Sequence, residues 1–151
     1  VEAGEPRADL RVRHSPELLR GALPPINGAL AAALIDEIPV LAVLGSRAEG
    51  GLEISDAHEL RVKESDRIST LAANLRAMGA VVEEKPDGLI LRGGQSLRGA
   101  DIIPRGDHRI AMTFAVAALS AQGETRIHDA ECADVSFPGF WSVLSGVARF
   151  A

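Results

Sequence analysis

Tyrosine is absent from this chain, aromatic residues amount to 3%, and Cys132 is the single cysteine among 151 residues. A core without tyrosine and with only Phe114, Phe137, Phe140, Phe150 and Trp141 must be built mainly from aliphatic side chains. The same scarcity argues against the stacking platforms that hold single-stranded nucleic acid. One cysteine excludes an internal disulfide and a multi-cysteine zinc site, and fits a reducing, cytoplasmic setting. No apolar run approaches the roughly 20 residues that cross a bilayer as a helix. A net charge of −5 makes general binding to a nucleic-acid backbone an unpromising reading. No Walker A loop, dinucleotide glycine fingerprint or paired Cys-x-x-Cys occurs. His58-Glu59-Leu60-Arg61-Val62 begins like the zinc-protease helix but ends in Val62, where a second His is required.

What is present is the balance of a soluble globular protein rather than a disordered one: 46% hydrophobic and 25% charged residues. Ala8–Arg13 alternates like a half-buried strand, and Leu23–Gly28 forms a Pro/Gly-rich connector. Pro39 opens an apolar helix that Gly50-Gly51 closes, and Leu52–Ile54 follows as a strand. Ser65 is placed to cap a helix whose apolar face is Ile68, Leu71, Ala72 and Leu75, ending at Gly79. Two strands, Ala80–Glu84 and Gly88–Arg92, flank the turn Pro86-Asp87. Asp107 caps a predicted helix through Ala121, Thr125–Ile127 reads as a strand, and Ser136–Val147 as a last helix.

These elements recur at an offset of 73 positions, which pairs Gly50 with Gly123, Ile54 with Ile127, Asp56 with Asp129 and Ala57 with Ala130. Two related units are expected, approximately 36–79 and 109–151. The offset also pairs Asp36 with Arg109 and Lys63 with Ser136, all near helix starts, where free N–H groups favour anions. An acidic chain can therefore hold phosphorylated, carboxylated molecules locally.

Three segments carry the candidate chemistry. Arg61-Val62-Lys63-Glu64-Ser65-Asp66-Arg67 gathers three cations at a helix start, where the dipole disfavours them unless an anion compensates. Lys63 and Arg67, four apart, can present an ammonium and a forked guanidinium on one side, with Glu64 between them as a proton carrier. The plainer alternative is a solvated helix start with local ion pairs. In Gly106-Asp107-His108-Arg109-Ile110-Ala111-Met112, Asp107 suits a cap, His108 is a candidate proton carrier and Arg109 suits a carboxylate or phosphate. Surface exposure of His108 and Arg109 is the competing view. Asp36, in Ile35-Asp36-Glu37-Ile38-Pro39, is an acceptor or base if partly buried, and otherwise an ordinary acid before a helix. Cys132 lacks any nucleophile context, and His14 and His128 read as surface residues.

Leu60–Ile68 and Asp107–Met112, with Asp36–Pro39 upstream and Ser136-Phe137-Pro138 downstream, closely resemble the signatures of the EPSP synthase family (3-phosphoshikimate 1-carboxyvinyltransferases). That family has two domains of three βαβαββ units each, with substrates in the cleft between them. The resemblance implies the C-terminal portion of such an enzyme, about two units of one domain, without the N-terminal domain. The opening at Val1 rather than Met agrees with a piece of a longer protein.

The implied reaction moves the enolpyruvyl group of phosphoenolpyruvate to the 5-hydroxyl of shikimate 3-phosphate, without metal or organic cofactor. Nucleic acid and membrane are not implied partners. By resemblance, Asp36 binds the shikimate hydroxyls and accepts a proton, and Lys63 lies beside the 5-hydroxyl and the phosphoenolpyruvate phosphate. Glu64 protonates the methylene carbon, Arg67 and Arg109 clamp phosphoenolpyruvate, and His108 supports that site. Two departures stand out. The phosphate-binding Lys that some members carry before Phe-Pro is missing from Asp134-Val135-Ser136, and Glu59-Leu60 replaces a stretch where some members place Asn. The contacts of the N-terminal domain also lie outside the chain. Alternatives are the sister enolpyruvyl transferase acting on a UDP-amino sugar, and a non-catalytic anion-binding α/β module.

Overall fold

In a computed structural model of the chain, residues 8, 9 and 11–147 are described. Five helices lie among them: α1 (Gly28–Ala33), α2 (Ile38–Arg47), α3 (Arg67–Ala77), α4 (His108–Ala118) and α5 (Phe140–Val147). Five short strands join them: β1 (Leu52–Ile54), β2 (Val82–Lys85), β3 (Gly88–Leu91), β4 (Asp101–Ile102) and β5 (Arg126–Ile127). Turns of 3-10 helix occupy Pro16–Leu19, His58–Val62 and Ala130–Val135.

β1, β3 and β2 form an antiparallel sheet in that order, with Leu52 opposite Leu91 and Val82 opposite the same Leu91 from the other side. Alternation puts Leu52, Ile54, Val82, Leu89 and Leu91 on the buried face, where they meet Ile38, Ala42, Ile68, Leu71 and Leu75 of α2 and α3. Gly45 lets α2 approach β1 closely, since a Cβ there would sit 2.4 Å from the Cβ of Leu52. Ile102, Ile110 and Phe114 extend this core to α4. A smaller cluster of Ala115, Ala133, Phe140 and Leu144 seats α5.

Parallel pairing links two pairs of stretches among the described residues, the second of them reinforced by a bridge between Arg98 and Gln122. Ile26 bridges Ile54 of β1, and β4 pairs with β5. Each pair is joined through helix, α1 and α2 in the first case and α4 in the second, as a parallel connection requires. The stretches 38–77 and 108–147 run through the same order of helix, short strand, 3-10 turn and helix. Asp56 and Asp129, 73 positions apart, both adopt left-handed backbone, with φ of 56° and 48°. α2 and α4 lie side by side, tied at one end by Asp36 to Arg109 and at the other by Arg47 to Ser120.

Several predicted boundaries need correction. No strand forms among the described residues of Ala8–Arg13 (Leu10 lies outside them), and Val12 is exposed with no neighbouring strand. The cap of α3 is Asp66, whose Oδ1 accepts from the Ser69 N–H at 3.0 Å, because the hydroxyl of Ser65 is turned to Asp107. α4 stops at Ala118 rather than Ala121, and the chain then turns towards Gly123 at φ 92°. α5 starts at Phe140 rather than Ser136, because Pro138-Gly139 follows a 3-10 turn and Gly139 has φ 85°.

Candidate active site

Packing of α2, α3 and α4 against one another brings their starts together. Asp36 sits in the turn before α2, Arg67 is the first residue of α3, and His108 and Arg109 open α4. Three helix N-termini in one place supply a field that favours anions. The side chains on them form a single ion-pair network.

Arg67 is its centre and is 1% exposed. Its Nε donates to Oδ2 of Asp107 at 2.8 Å, Nη1 to Oδ1 of Asp36 at 3.2 Å, and Nη2 to Oε2 of Glu64. Every arm of a buried guanidinium is thereby met by a carboxylate, which offsets the several kcal/mol that burying the charge costs. Arg109 Nη2 reaches Oδ2 of the same Asp36 at 2.9 Å, and Nη1 reaches its backbone oxygen at 3.4 Å. One carboxylate thus binds two arginines that stand 42 positions apart in the sequence. The outer sides of this network face solvent, with the Asp36 side chain 40% exposed and that of Glu64 48%.

Two crevices flank the buried guanidinium. One lies between the starts of α2 and α4, lined by Asp36, Val40, Arg109, Met112 and Val116. The other is lined by Glu64, Ser65, Asp66, Ser69, Thr70 and Arg105. Among the described residues no group of three or more His, Cys, Asp or Glu side chains is arranged to hold a metal ion.

The structure brings Asp36, Glu64, Arg67 and Arg109 into one network and leaves two expected residues outside it. The Lys63 ammonium pairs with Glu59, four positions earlier, and does not touch Asp36 or Glu64. His108 is buried at the start of α4 without a side-chain hydrogen bond to another described residue. Two residues have places at the site that the sequence reading did not give them. Asp107 is fully buried and does more than cap a helix, since both its oxygens are used. Arg105, with φ of 58° directly before Gly106, borders the second crevice. A signal for Asp107 existed, because an acid immediately before His-Arg can reach back to a basic motif once the helix starts converge. Arg105 carried none.

Arg61 belongs to a different arrangement. It donates to Asp66, Glu84 and the backbone oxygens of Lys85 and Pro86, fastening the α3 start to the β2–β3 hairpin. Burial alone lowers its proton affinity, but the hydrogen bonds and charges of Asp66 and Glu84 outweigh that and hold it above its ordinary value.

Comparison with known proteins agrees with this geometry. The family model for EPSP synthase (3-phosphoshikimate 1-carboxyvinyltransferase) matches residues 4–144. A 3-phosphoshikimate 1-carboxyvinyltransferase from Solibacter usitatus is 55% identical over 146 residues, covering 97% of this chain and 33% of its own length. Its counterpart from Roseiflexus castenholzii is 56% identical over 144 residues, covering 95% and 32%. A solved EPSP synthase from Acinetobacter baumannii superposes with a TM-score of 0.73 at 38% identity, over 79% of this chain and 28% of that one. The chain therefore spans about a third of the length of the curated relatives it matches. Over that third, sequence and backbone agree, and the chain belongs to the EPSP synthase family.

Proposed function

We propose that the polypeptide containing this chain transfers the enolpyruvyl group of phosphoenolpyruvate to the 5-hydroxyl of shikimate 3-phosphate, releasing phosphate. The observation that carries the reading is the meeting of Arg67 and Arg109 on Asp36, with Glu64 on another arm of Arg67. Proton carriers and cations then stand together, which this reaction on two anionic reactants requires.

Each side chain has a task. Asp36 hydrogen-bonds the shikimate hydroxyls and accepts the proton of the 5-hydroxyl as its oxygen forms a bond to C2 of phosphoenolpyruvate. Glu64 gives a proton to the methylene carbon, which makes C2 electrophilic. Arg67 and Arg109 bind the carboxylate and phosphate of phosphoenolpyruvate, with His108 beside them. Lys63 leaves Glu59 for the reacting phosphate, a small cost because an exposed pair contributes only about 0–1 kcal/mol. From the tetrahedral adduct, the methyl carbon returns a proton and the C2–O bond to phosphate breaks. The cations steady the charge that departs.

The chain then forms one wall of the site, about two units of a domain, approximately 36–79 and 109–151, and an N-terminal domain supplies the opposite wall. Exposed Val40 and Val116 along the α2–α4 groove support a further unit packing there. The reading includes a cytoplasmic location, in keeping with a lone free cysteine.

The test is phosphate release by the purified full-length polypeptide given shikimate 3-phosphate and phosphoenolpyruvate, with none when a UDP-amino sugar is the acceptor. The 151-residue chain alone is expected to release no measurable phosphate from either pair. A full-length protein that is stabilised against heat only by the UDP-amino sugar would overturn the reading.

A further inference from the structure

Asp107 is the one carboxylate among the described residues that is fully buried. A helix cap does not need that. One exposed oxygen suffices, and Ser, Thr or Asn serve nearly as well as Asp. Here Oδ1 alone performs the capping, accepting from the N–H groups of Arg109 at 3.0 Å and Ile110 at 3.4 Å. Oδ2 has different work: it accepts from Arg67 Nε at 2.8 Å and from the Ser65 hydroxyl at 3.0 Å. The second pair of bonds crosses 40 residues of sequence to the other signature segment.

A guanidinium is planar, so a group held at Nε and packed along its stem cannot rotate. With Nε fixed, Nη1 and Nη2 have nowhere to point except towards Asp36 and Glu64. Oδ1 meanwhile holds the backbone of Arg109, the other arginine on Asp36. We infer that Asp107 is a positioning residue that sets the orientation of both arginines of the anion clamp, acting on Arg67 through its side chain and on Arg109 through the helix start. This rests on the function proposed above, and concerns a residue that touches neither substrate.

Asp107→Asn in the full-length enzyme separates the two tasks, because an amide has one acceptor oxygen and cannot serve Arg67 and the α4 cap together. The Michaelis constant for phosphoenolpyruvate is expected to rise at least about tenfold, with a smaller fall in kcat. In an Arg67→Ala background the same change is expected to add less than about twofold, since its main target is gone. Equal losses in both backgrounds would overturn the inference and leave Asp107 a fold residue only. Ser65→Ala gives an independent arm should Asp107→Asn fail to fold. It removes one bond to Oδ2, spares the cap, and should raise the same constant about two- to fivefold in a protein that stays folded at the assay temperature despite a lower melting midpoint. No rise in a folded Ser65→Ala protein would count against the inference. A third readout does not depend on turnover: the Arg67 Nε–H proton should exchange slowly with solvent in the native protein and rapidly in Asp107→Asn. If the native enzyme releases no phosphate, the proposed function fails, and slow or rapid Nε–H exchange still decides whether Asp107 holds Arg67.

Discussion

Arg61 and Arg67 stand six positions apart in one basic segment, and each binds several acceptors, yet they belong to different kinds of structure. The partners of Arg61 (Asp66, Glu84, Lys85 and Pro86) all come from the adjoining helix start and hairpin. Those of Arg67 come from three separate segments, and two of them, Asp36 and Glu64, keep a large exposed surface. A cation whose partners all lie in one helix start and the hairpin beside it ties those segments together, even though Asp66 is as exposed as Asp36. A buried cation held on carboxylates drawn from separate segments gathers them at one point, where a ligand can replace them. A basic run in a sequence is therefore not one feature, and sorting its members requires the identity of each partner and the segment it comes from.

The largest expected effect tests the Arg67 side of this contrast. Glu64→Ala in the full-length enzyme should lower turnover by about 10²- to 10⁴-fold, the usual worth of a positioned general acid. Lys63→Met should also lower it by orders of magnitude. Both variants should keep the circular dichroism of the native fold, because Glu64 and Lys63 are partly exposed. Near-normal phosphate release from either would remove that residue from the reaction.

Arg67→Ala should cost both function and fold. Asp107 would remain buried without its main charge partner, and orphaning a buried ion of this kind costs about 3–5 kcal/mol. Denaturant unfolding reads that loss directly. Arg61→Ala should cost less, about 1–2 kcal/mol, because its bonds are partly exposed and its carboxylates can rehydrate. Its Michaelis constants should hardly move. A rise in the constant for phosphoenolpyruvate without loss of stability would erase the distinction between the two arginines.

The sequence carried much of this arrangement, unevenly. The 73-residue offset paired Asp36 with Arg109, and the structure joins those two side chains. The face of α3 was readable because Ile68, Leu71, Ala72 and Leu75 recur at helical spacing and are all buried. Its cap was not, since Ser65 and Asp66 are both good capping residues and only the reach of Ser65 to Asp107 decides between them. β4 is two residues long, too short to show alternation, and the six residues of α1 carry no cap bond from Asn27. The pairing of Lys63 with Glu59 is a local contact four positions apart that the spacing allowed, whereas the second role of Asp107 depends on tertiary approach, which spacing along one segment does not encode.

The smallest effect offers a way to hear one cluster without the other. Burial pushes the Cys132 thiol up, and the negative charges of Asp107, Glu131 and Asp129 add to the shift. A raised value means less thiolate at a given pH, so iodoacetamide should react more slowly with the folded protein than with the unfolded chain near neutrality. On the alkaline side the unfolded thiol ionises first, so this group's contribution to stability falls as pH rises beyond the ordinary thiol range. Asp107→Asn removes the largest of the charge contributions and should speed alkylation, by less than about threefold because burial remains the larger cause. Arg61→Ala should leave the rate unchanged, because neither Arg61 nor its carboxylate partners contribute to the shift. A thiol that responded equally to both variants would mean that the two arginine clusters share one electrostatic environment, and the contrast between staple and site would have to rest alone on where their partners come from.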